Sequence, residues 1–407
     1  MFKKYWLIFF IFSLFFLILV AGCVSSLSKR PISSNSLGFY EIEQGIPQYS
    51  QSVYIPKKGI IPPPNVPIIS SINISNSVCD FLDIYLNNNK AYATYSDAKQ
   101  NYKVMVKIYN GKQWEYLGTN PITDDHAYWP NIEIVNNKPV VFYVDRKNNF
   151  SVSGKIFNES WNYIPLNELP VSRVGVLKTH TKSDTLFLAY SDLTSGGIIA
   201  ASWKNKVWTI LPAINRYNQQ ILDLALMTIK DDVYVALIDS SNEYKILVYK
   251  LNKDQWDVVG EFSVIDYLAG DLSLSSDGNN PYISYITYKD ASSSCKVNVK
   301  RFNGKEWKNI GNPYSTPGKA RFAELQIVNN QVLLAYADLE TQKPTVLRLM
   351  KDNWTAITRS ADSKGKTSQL VHRVYKNFSY VGYLDEENNY SAVALPLPST
   401  ELIQSNY

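Results

Sequence analysis

The hydrophobic pattern of the chain repeats a unit of short alternating segments separated by polar turns. Within a segment, apolar and polar residues alternate with a period of two, which is typical of half-buried β-strands. The stretch 300–311, KRFNGKEWKNIG, places Asn303 and Gly304 between two such segments, with a Trp three residues later. Asn-Gly in this setting is a strong hairpin signal, because both central residues of a type I′ turn need positive φ. The pattern therefore predicts a β-hairpin wherever this unit occurs.

Two sequence markers show how often the unit recurs. The Trp of the hairpin returns every 47 to 51 residues, at Trp114, Trp161, Trp208, Trp256, Trp307 and Trp354. An apolar run that closes on an acidic residue runs in phase with it. That residue is Asp97, Asp145, Asp192, Asp239, Asp338 and Asp385, with Thr287 at the same step of the fifth unit. The chain therefore contains seven copies of one unit.

Each unit divides into four short strands, at 323–328, 332–337, 345–349 and 354–358 in the sixth copy. Four antiparallel strands per repeat, without helical segments, are typical of a β-propeller. Solenoid repeats are shorter, and a sandwich does not repeat its sequence. We therefore predict an all-β fold, a seven-bladed β-propeller over residues 35–400. Its repeated Asp should accept backbone N–H groups in a turn, and its repeated Trp should anchor neighbouring blades.

The seventh unit lacks the Trp hairpin, so the ring needs a strand from elsewhere. In the segment 34–42, Asn35, Phe39 and Ile42 stand where Asn303, Trp307 and Ile310 stand in the fifth unit. We expect this N-terminal segment to form the outer strand of the last blade; the alternative is the segment 400–404. A Pro-rich insertion at about 47–75 precedes blade 1, and it is either a packed connector or an arm that binds a partner.

The first 22 residues have the pattern of a leader. Lys3 and Lys4 precede an apolar run, which ends in Val-Ala-Gly before Cys23. This arrangement resembles the bacterial lipobox, and the resemblance implies a lipoprotein signal peptide over 1–22 and lipidation of Cys23. Residues 23–34 would then be a Ser-rich tether, and the lipid would hold the protein in the bacterial cell envelope, outside the cytoplasm. The alternatives are a simple signal peptide or an N-terminal membrane anchor.

Charge and cysteine content exclude several classes of protein. The net charge is +5, and it falls to 5 − 2 = +3 without Lys3 and Lys4. This excess is too small to indicate a nucleic-acid partner, and we expect a monomer. Three Cys do not form a disulfide scaffold, and Cys79 and Cys295, in units that are not neighbours, should be free and buried.

Carboxylates interrupt the apolar pattern on the first strand of five units. They are Asp83, Glu133, Asp223, Asp271 and Glu324. Because side chains alternate along a strand, these five should point toward the propeller axis. There they would form a candidate cation site, suited to Ca²⁺ because its ligands are oxygens, or they would simply face water. Otherwise we expect no cofactor.

The loops that lead into each first strand should open on the same face as the Asp turns. They carry His126, Tyr128, Trp129, Arg173, Arg216, Tyr217, Tyr267, Lys319, Arg321 and Lys364. Exposed aromatic and Arg side chains are effective anchors in interfaces. The candidate residues for binding a protein or glycan are His126, Trp129, Arg173, Tyr217, Tyr267 and Arg321.

Signals for catalysis are weak. The three His lie in different units, and the sequence has no Gly-x-Ser-x-Gly, phosphate loop or Cys-x-x-Cys. The YSD and (Y/F)NGxxWxxxG markers resemble the repeats of secreted bacterial β-propeller lipoproteins. This resemblance implies the fold and the export of the protein, but it does not indicate which activity the protein has. We therefore expect a non-enzymatic envelope protein that binds a protein or glycan. The alternatives are a glycan hydrolase or lyase that uses axial carboxylates such as Glu133 and Glu324, and a structural spacer.

Overall fold

The computed structural model describes residues 73–397, with gaps at 88–89, 215–220, 263–267, 289–294, 313–315, 317, 358–365, 376–377 and 389–390. The predicted signal peptide, Cys23, the tether and both candidate closing strands lie outside the described residues. Of the predicted insertion at about 47–75, only residues 73–75 are described.

The described residues form seven antiparallel sheets, each built from consecutive strands. Blade 1 holds β1 (Cys79–Asn87), β2 (Lys90–Asp97), β3 (Lys103–Tyr109) and β4 (Trp114–Tyr116). Blade 2 holds β5 (Ala127–Val135), β6 (Lys138–Asp145), β7 (Ser151–Asn158) and β8 (Ser160–Tyr163). Blade 3 holds β9 (Val174–Lys182), β10 (Thr185–Asp192), β11 (Gly197–Lys204) and β12 (Val207–Ile210). Blade 4 holds β13 (Ile221–Ile229), β14 (Asp232–Asp239), β15 (Lys245–Asn252) and β16 (Gln255–Phe262).

The remaining three blades follow the same plan. Blade 5 holds β17 (Leu268–Ser276), β18 (Pro281–Tyr288), β19 (Lys296–Phe302) and β20 (Trp307–Asn309). Blade 6 holds β21 (Ala320–Val328), β22 (Gln331–Asp338), β23 (Pro344–Met350) and β24 (Asn353–Ala356). Blade 7 holds β25 (Thr367–Tyr375), β26 (Phe378–Asp385) and β27 (Ser391–Leu397), and single 3₁₀ turns lie at Ala98–Gln100 and Glu386–Asn388. The predicted seven-bladed propeller is confirmed.

The starts of the inner strands of blades 2, 3, 6 and 7 are each held by the blade before. We call this end of the ring the upper face, and the opposite end the lower face. The backbone N–H of Ala127 donates to the carbonyl of Tyr102 at 3.2 Å, and that of Val174 donates to Phe150 at 2.9 Å. Tyr102 and Phe150 lie in the turns between the second and third strands of blades 1 and 2. The upper face therefore combines these turns with the loops that enter the inner strands, as the sequence predicts.

The repeated Asp is a turn residue, as predicted. In the six units that carry it, its Oδ1 accepts the backbone N–H two residues later, at distances between 2.7 and 3.1 Å. In blade 5, the Thr287 hydroxyl instead accepts a hydrogen bond from the Asn298 amide at 3.0 Å. Because the carboxylate satisfies a backbone donor that the turn leaves unpaired, these residues are structural.

The repeated Trp joins neighbouring blades, which confirms the second structural prediction. The indole N–H of Trp161 donates to the carbonyl of Leu117 in the preceding blade at 2.8 Å. Trp208 and Trp256 donate in the same way to the preceding blade's Pro165 and Pro212, at 2.9 and 2.6 Å. Each of these three rings thereby fills the wedge between two sheets while its one polar atom is satisfied. The indole N–H of Trp307 is buried without a hydrogen-bond partner among the described residues.

Blades 7 and 1 pack directly against each other. Leu82 and Ile84 of β1 share a buried cluster with Val371 of β25 and Tyr380 of β26. The chain enters blade 1 along β27, where the N–H of Ile74 donates to the carbonyl of Ala392 at 2.8 Å. The described part of the chain therefore closes into a ring through side-chain packing and this backbone contact.

Cys79 and Cys295 are buried and free, as predicted. Burial raises the pKa of the Cys79 thiol to about 12, so the thiol is protonated at neutral pH. No helix in the described residues has the length and apolar character needed to cross a bilayer.

Candidate functional site

The inner strands do not run straight at the upper face. The pairing of the first two strands is interrupted by a bulge, for example between Asp80 and Asp83 in blade 1 and between Tyr128 and Asn131 in blade 2. The bulged residues Phe81 and Trp129 have φ of 56° and 46°. A bulge turns a side chain away from the regular alternation of the strand. Two large aromatic rings are thus redirected at the mouth of the ring.

These rings belong to a continuous aromatic surface on blades 1 and 2. Phe81 lies 5.8 Å from Trp129 and 5.9 Å from Tyr128, measured between ring centroids. His126 is stacked between Tyr128, at 4.1 Å, and Tyr102, at 5.0 Å. All of these side chains are partly exposed. With Phe150, which is 5.8 Å from Tyr128, we call this surface the upper aromatic patch; its members are Phe81, Tyr102, His126, Tyr128, Trp129 and Phe150.

A cation and two apolar side chains extend the patch onto blade 3. The guanidinium of Arg173 lies 5.0 Å from the centroid of Phe150, in a cation–π contact. Val171 is 89% exposed and Leu193 is 49% exposed. The Leu193 N–H donates to the Arg173 carbonyl at 2.8 Å, which fixes this edge. Such clustering of exposed apolar groups is uncommon on a surface that contacts only water.

Two exposed ion pairs border the patch. Arg146 Nε lies 3.2 Å from Asp125 and Lys147 Nζ lies 2.9 Å from Asp124. Burial, together with the charge of Arg146, lowers the pKa of His126 to about 4, so its imidazole is neutral at pH 7. The patch therefore presents neutral aromatic faces, with Arg173 as its exposed cation.

The predicted binding residues are only partly brought together. His126, Trp129 and Arg173 meet in and beside the upper aromatic patch. Arg321 lies on blade 6 instead, with its guanidinium 5.3 Å from the ring of its neighbour Phe322. The other two predicted residues, Tyr217 and Tyr267, lie outside the described residues, as do Arg216 and Lys364.

Sequence reasoning missed Phe81, Tyr102 and Phe150. A signal for two of them is present, since Tyr102 and Phe150 each follow the repeated Asp by five residues. Their φ values are 56° and 60°, so these turns hold a large side chain in the left-handed region. Phe81 carries no comparable signal, because its exposure depends on a bulge that the alternating pattern does not reveal.

The five axial carboxylates do not form a ring at one height. The height of each acid is given by its partner residue on the second strand of the same blade. The partner of Asp223 lies one residue before the repeated Asp of its blade, and the partner of Glu133 lies five residues before it. That difference of four residues corresponds to about 13 Å along the strand. Asp83 and Glu324 lie between these levels. These four acids therefore lie at three levels along the axis, with Asp83 and Glu324 at the same one. A cation site among the axial carboxylates stays a prediction.

Several of these acids satisfy backbone groups of the next blade. Oδ2 of Asp83 accepts the N–H of Ile132 at 3.0 Å, and Oδ2 of Asp223 accepts the N–H of Leu272 at 2.7 Å. Asp271 accepts the N–H of Phe322 at 2.9 Å. In the described part of the chain, no group of three or more His, Cys, Asp or Glu side chains is placed to hold a metal ion. Occupation of the axis by Ca²⁺ stays a prediction.

A guanidinium provides positive charge on the axis. Arg373 of blade 7 contacts Asp83 of blade 1, and its Nη1 lies 3.5 Å from Oε2 of Glu324 in blade 6. Its Nε also donates to the carbonyl of Ile84 at 3.0 Å. Arg373 is thus paired with two acids, while His372 is buried against the Ser379 hydroxyl.

Glu133 differs from the other axial acids in its surroundings. Its carboxylate accepts a hydrogen bond from the Thr179 hydroxyl at 3.3 Å. Burial, reinforced by the negative charge of Asp83, raises the pKa of Glu133 to about 7. A carboxyl with this pKa is suited to proton transfer near neutral pH, although burial alone produces the same shift in structural positions.

No protein-family model matches the sequence, and no curated protein matches it. Among solved structures, the polysaccharide lyase Uly1 aligns with a TM-score of 0.55 at 11% identity, over 84% of this chain and 93% of that chain. An α-L-arabinanase from Penicillium chrysogenum, complexed with arabinobiose, aligns at 0.46 and 10% identity, over 70% and 96% of the two chains. A six-bladed fucose-recognising lectin from Aleuria aurantia aligns at 0.43 and 13% identity, over 66% and 89%. At these identities the likeness to Uly1 shows the fold alone, and the lower scores of the other two carry no argument. The chain is thus similar in fold, as a β-propeller, to the polysaccharide lyase Uly1.

Proposed function

We propose that this protein is a lipid-anchored protein of the bacterial cell envelope that binds a glycan through its upper aromatic patch. The observation that carries the proposal is the contiguous set of six partly exposed rings across blades 1 and 2. A sugar ring presents an apolar face of C–H groups, which packs well on the negative face of an aromatic ring. Ligand sites combine such apolar surfaces with a few polar groups that set orientation, and Arg173 and the Tyr hydroxyls provide these.

The arrangement favours an extended ligand. The rings run from Tyr102 in blade 1 to Phe150 in blade 2, and Arg173 continues the surface onto blade 3. Several sugar units in a chain would therefore contact the patch at once. Since His126 is neutral at pH 7, the proposed binding does not require a negatively charged ligand.

The membrane anchor is the second part of this proposal. It rests on the sequence around Cys23, where small residues end an apolar run. Cys23→Ala in a bacterial expression host should abolish incorporation of labelled palmitate, because the variant lacks the thiol that accepts the lipid. Unchanged labelling in Cys23→Ala would refute lipid anchoring without affecting the glycan proposal.

A test of glycan binding uses the full chain in detergent on an array of polysaccharides and oligosaccharides. We expect binding to at least one glycan, and a loss of about tenfold or more in Trp129→Ala, because removal of a central anchor residue typically costs more than 1 kcal/mol. The control is Tyr163→Ala, which removes a 58% exposed ring outside the patch, on the outer strand of blade 2. Equal affinity of wild type and Trp129→Ala would contradict the proposal.

An enzymatic role has one observation in its favour, the raised pKa of Glu133. Glu324, the other acid predicted for catalysis, contacts Arg373. Turnover of an array-positive glycan that disappears in Glu133→Gln would establish a glycan hydrolase or lyase and would replace the non-enzymatic proposal.

A further inference from the structure

A cavity opens at the lower face, at the end of the ring opposite the upper aromatic patch. It lies among the last residues of the inner strands of blades 1, 2 and 3 and has a volume of about 480 Å³. This volume is within the range of small-molecule sites, which is about 300 to 1,000 Å³. We propose that this lower cleft binds a small, uncharged, polyhydroxylated molecule such as a monosaccharide.

The lining of the lower cleft is rich in amides and hydroxyls. It consists of Tyr85, Asn87, Ile134, Asn136, Asn137, Thr181, Ser183 and Asp184. Side-chain amides both donate and accept hydrogen bonds, and hydroxyl groups do the same. A sugar hydroxyl has this dual character too, so the lining matches it better than it matches a purely acidic or purely basic ligand.

The charge in the cleft is already balanced. Asp184 lies 3.1 Å from Lys204 Nζ and also accepts a hydrogen bond from the Thr185 hydroxyl at 3.2 Å. Since the charge of Asp184 is already paired with Lys204, its carboxylate does not require a cationic ligand. We therefore infer that the ligand is uncharged.

The cleft has unused hydrogen-bonding capacity at its base. The hydroxyl of Thr181 is buried and has no hydrogen-bond partner in acceptable geometry among the described residues. The hydroxyl is directed at the carboxyl of Glu133 and, by hydrogen bonding to it outside ideal geometry, lowers the pKa of that acid. The charge of Glu133 in turn raises the pKa of Tyr85 on the inner strand of the adjacent blade. A ligand hydroxyl would satisfy Thr181, and a buried polar group left unpaired is otherwise costly.

The turn of blade 2 presents two further amides. Asn136 and Asn137 have φ of 49° and 60°, as a two-residue hairpin turn requires. Both side chains are exposed at the rim of the cleft. Gly would adopt these angles as readily as Asn, but it has no side chain. The two Asn residues therefore add amide groups to the rim that the turn itself does not require.

This site is independent of the upper aromatic patch. On β1, Phe81 belongs to the patch and Asn87 belongs to the lower cleft, and the six residue steps from one to the other span about 20 Å. The two sites lie at opposite ends of the same inner strands. A variant in one should therefore leave binding in the other unchanged.

The test measures binding of methyl glycosides of glucose, galactose and mannose to the full chain in detergent by saturation-transfer NMR. We expect at least one to bind in the millimolar range, which is a weak interaction of about 4 kcal/mol. Thr181→Val keeps the shape of the side chain and removes the hydroxyl, so it should weaken binding about fivefold. Trp129→Ala should not change it.

Three results would overturn the proposal. They are no saturable binding of any of the three glycosides, equal binding in wild type and Thr181→Val, and loss of binding in Trp129→Ala. The last would place the monosaccharide on the upper face. Thermal melting of each variant shows whether a loss reflects unfolding; if Thr181→Val is destabilised, Tyr85→Phe removes a different lining hydroxyl and must give the same weakening.

Discussion

At the scale of single residues, burial controls the ionisable groups near the axis. Burial holds the pKa of His180 at about 4 and that of His372 at about 3, so both imidazoles are neutral at pH 7. Glu133 shows the corresponding effect for an acid, because burial disfavours its charged form. The two imidazoles therefore remain uncharged at pH 7, whereas Glu133, the third of these groups, titrates near neutral pH.

The first prediction concerns the pH dependence of stability at Glu133. Its pKa in the folded state, about 7, is above the unfolded value of 4.5. The folded state therefore binds an extra proton between these pH values, and this contribution to stability is complete below pH 4.5 and lost as pH rises through 7. Glu133→Gln cannot ionise. Relative to wild type, it should gain about 3 kcal/mol of unfolding free energy between pH 4.5 and pH 8.

Urea unfolding at a series of pH values checks this. The groups that act on Glu133 are Asp83, Arg373 and the hydroxyls of Thr179 and Thr181, and they are unchanged in the variant. Glu306→Gln, which removes an exposed carboxylate, is the control and should not alter the pH profile. If the unfolding free energies of wild type and Glu133→Gln changed with pH in parallel, folding would not raise the pKa of Glu133, and the prediction would be wrong.

At the scale of the element, the outer hairpin connects one blade to the next. Its two Gly have different tasks, although both have positive φ, of 92° at Gly304 and 85° at Gly311. A Cβ at Gly304 would meet no atom within 4 Å, whereas a Cβ at Gly311 would overlap the indole of Trp354 in the next blade. Gly260 repeats this arrangement, with Trp307 Nε1 2.8 Å from the position of a Cβ. The final Gly of the hairpin is therefore a contact between blades.

The second prediction follows from this pair. Gly304→Ala should lose about 1 kcal/mol of unfolding free energy through backbone strain alone. Gly311→Ala should lose about 1 to 3 kcal/mol more, because Trp354 must move. The measurement is urea unfolding of both variants, each the matched control of the other. Equal losses would mean that Trp354 moves away from the added Cβ without any loss of unfolding free energy.

At the scale of the whole molecule, Arg373 links three consecutive blades. It contacts Asp83 and the Ile84 carbonyl in blade 1 and Glu324 in blade 6. Its side chain is 31% exposed, and because it lies on an inner strand, this exposed part faces the central channel. Blade 7 has three strands in the described part of the chain, so this link supports the seam where the ring closes.

The third prediction is that Arg373→Met destabilises the propeller by about 2 kcal/mol or more, because it removes the one cation that contacts both Asp83 and Glu324 among the described residues. Asp83→Asn in the same chain should recover part of the loss. Arg301→Met is the control, since Arg301 pairs with Asp277 inside one blade and is 43% exposed; its loss should be smaller. The measurement is thermal melting of both Arg variants. Equal melting temperatures for Arg373→Met and Arg301→Met would contradict the prediction.

Much of the fold follows from local patterns. In the sixth unit the predicted strands lie within a few residues of β21 to β24, and the largest difference is at β21, which begins at Ala320, three residues before the predicted start at 323. The cause is the bulge at Phe322, whose φ of 56° interrupts the alternation on which the prediction depends. Bulges are set by the packing of neighbouring blades, so a period-two pattern does not reveal them.

The candidate site was predictable only in part. His126, Trp129 and Arg173 could be chosen from loop position and residue type. Their association with Phe81 could not, because Phe81 is turned by a bulge and meets Trp129 from another blade.

The sequence by itself determined the number of blades, the role of the repeated Asp and the packing of the repeated Trp. These depend on short-range periodicity and turn chemistry, and the Asp turn and the Trp hairpin each recur in six of the seven units. Only the tertiary structure decided which side chains from different blades come together. It gathered the upper aromatic patch from blades 1 and 2 and placed the axial acids at different heights, with Arg373 between two of them. The physical reason is that contacts between blades depend on the register and bulges of each inner strand, and a shift of one residue there changes which side chain faces the axis.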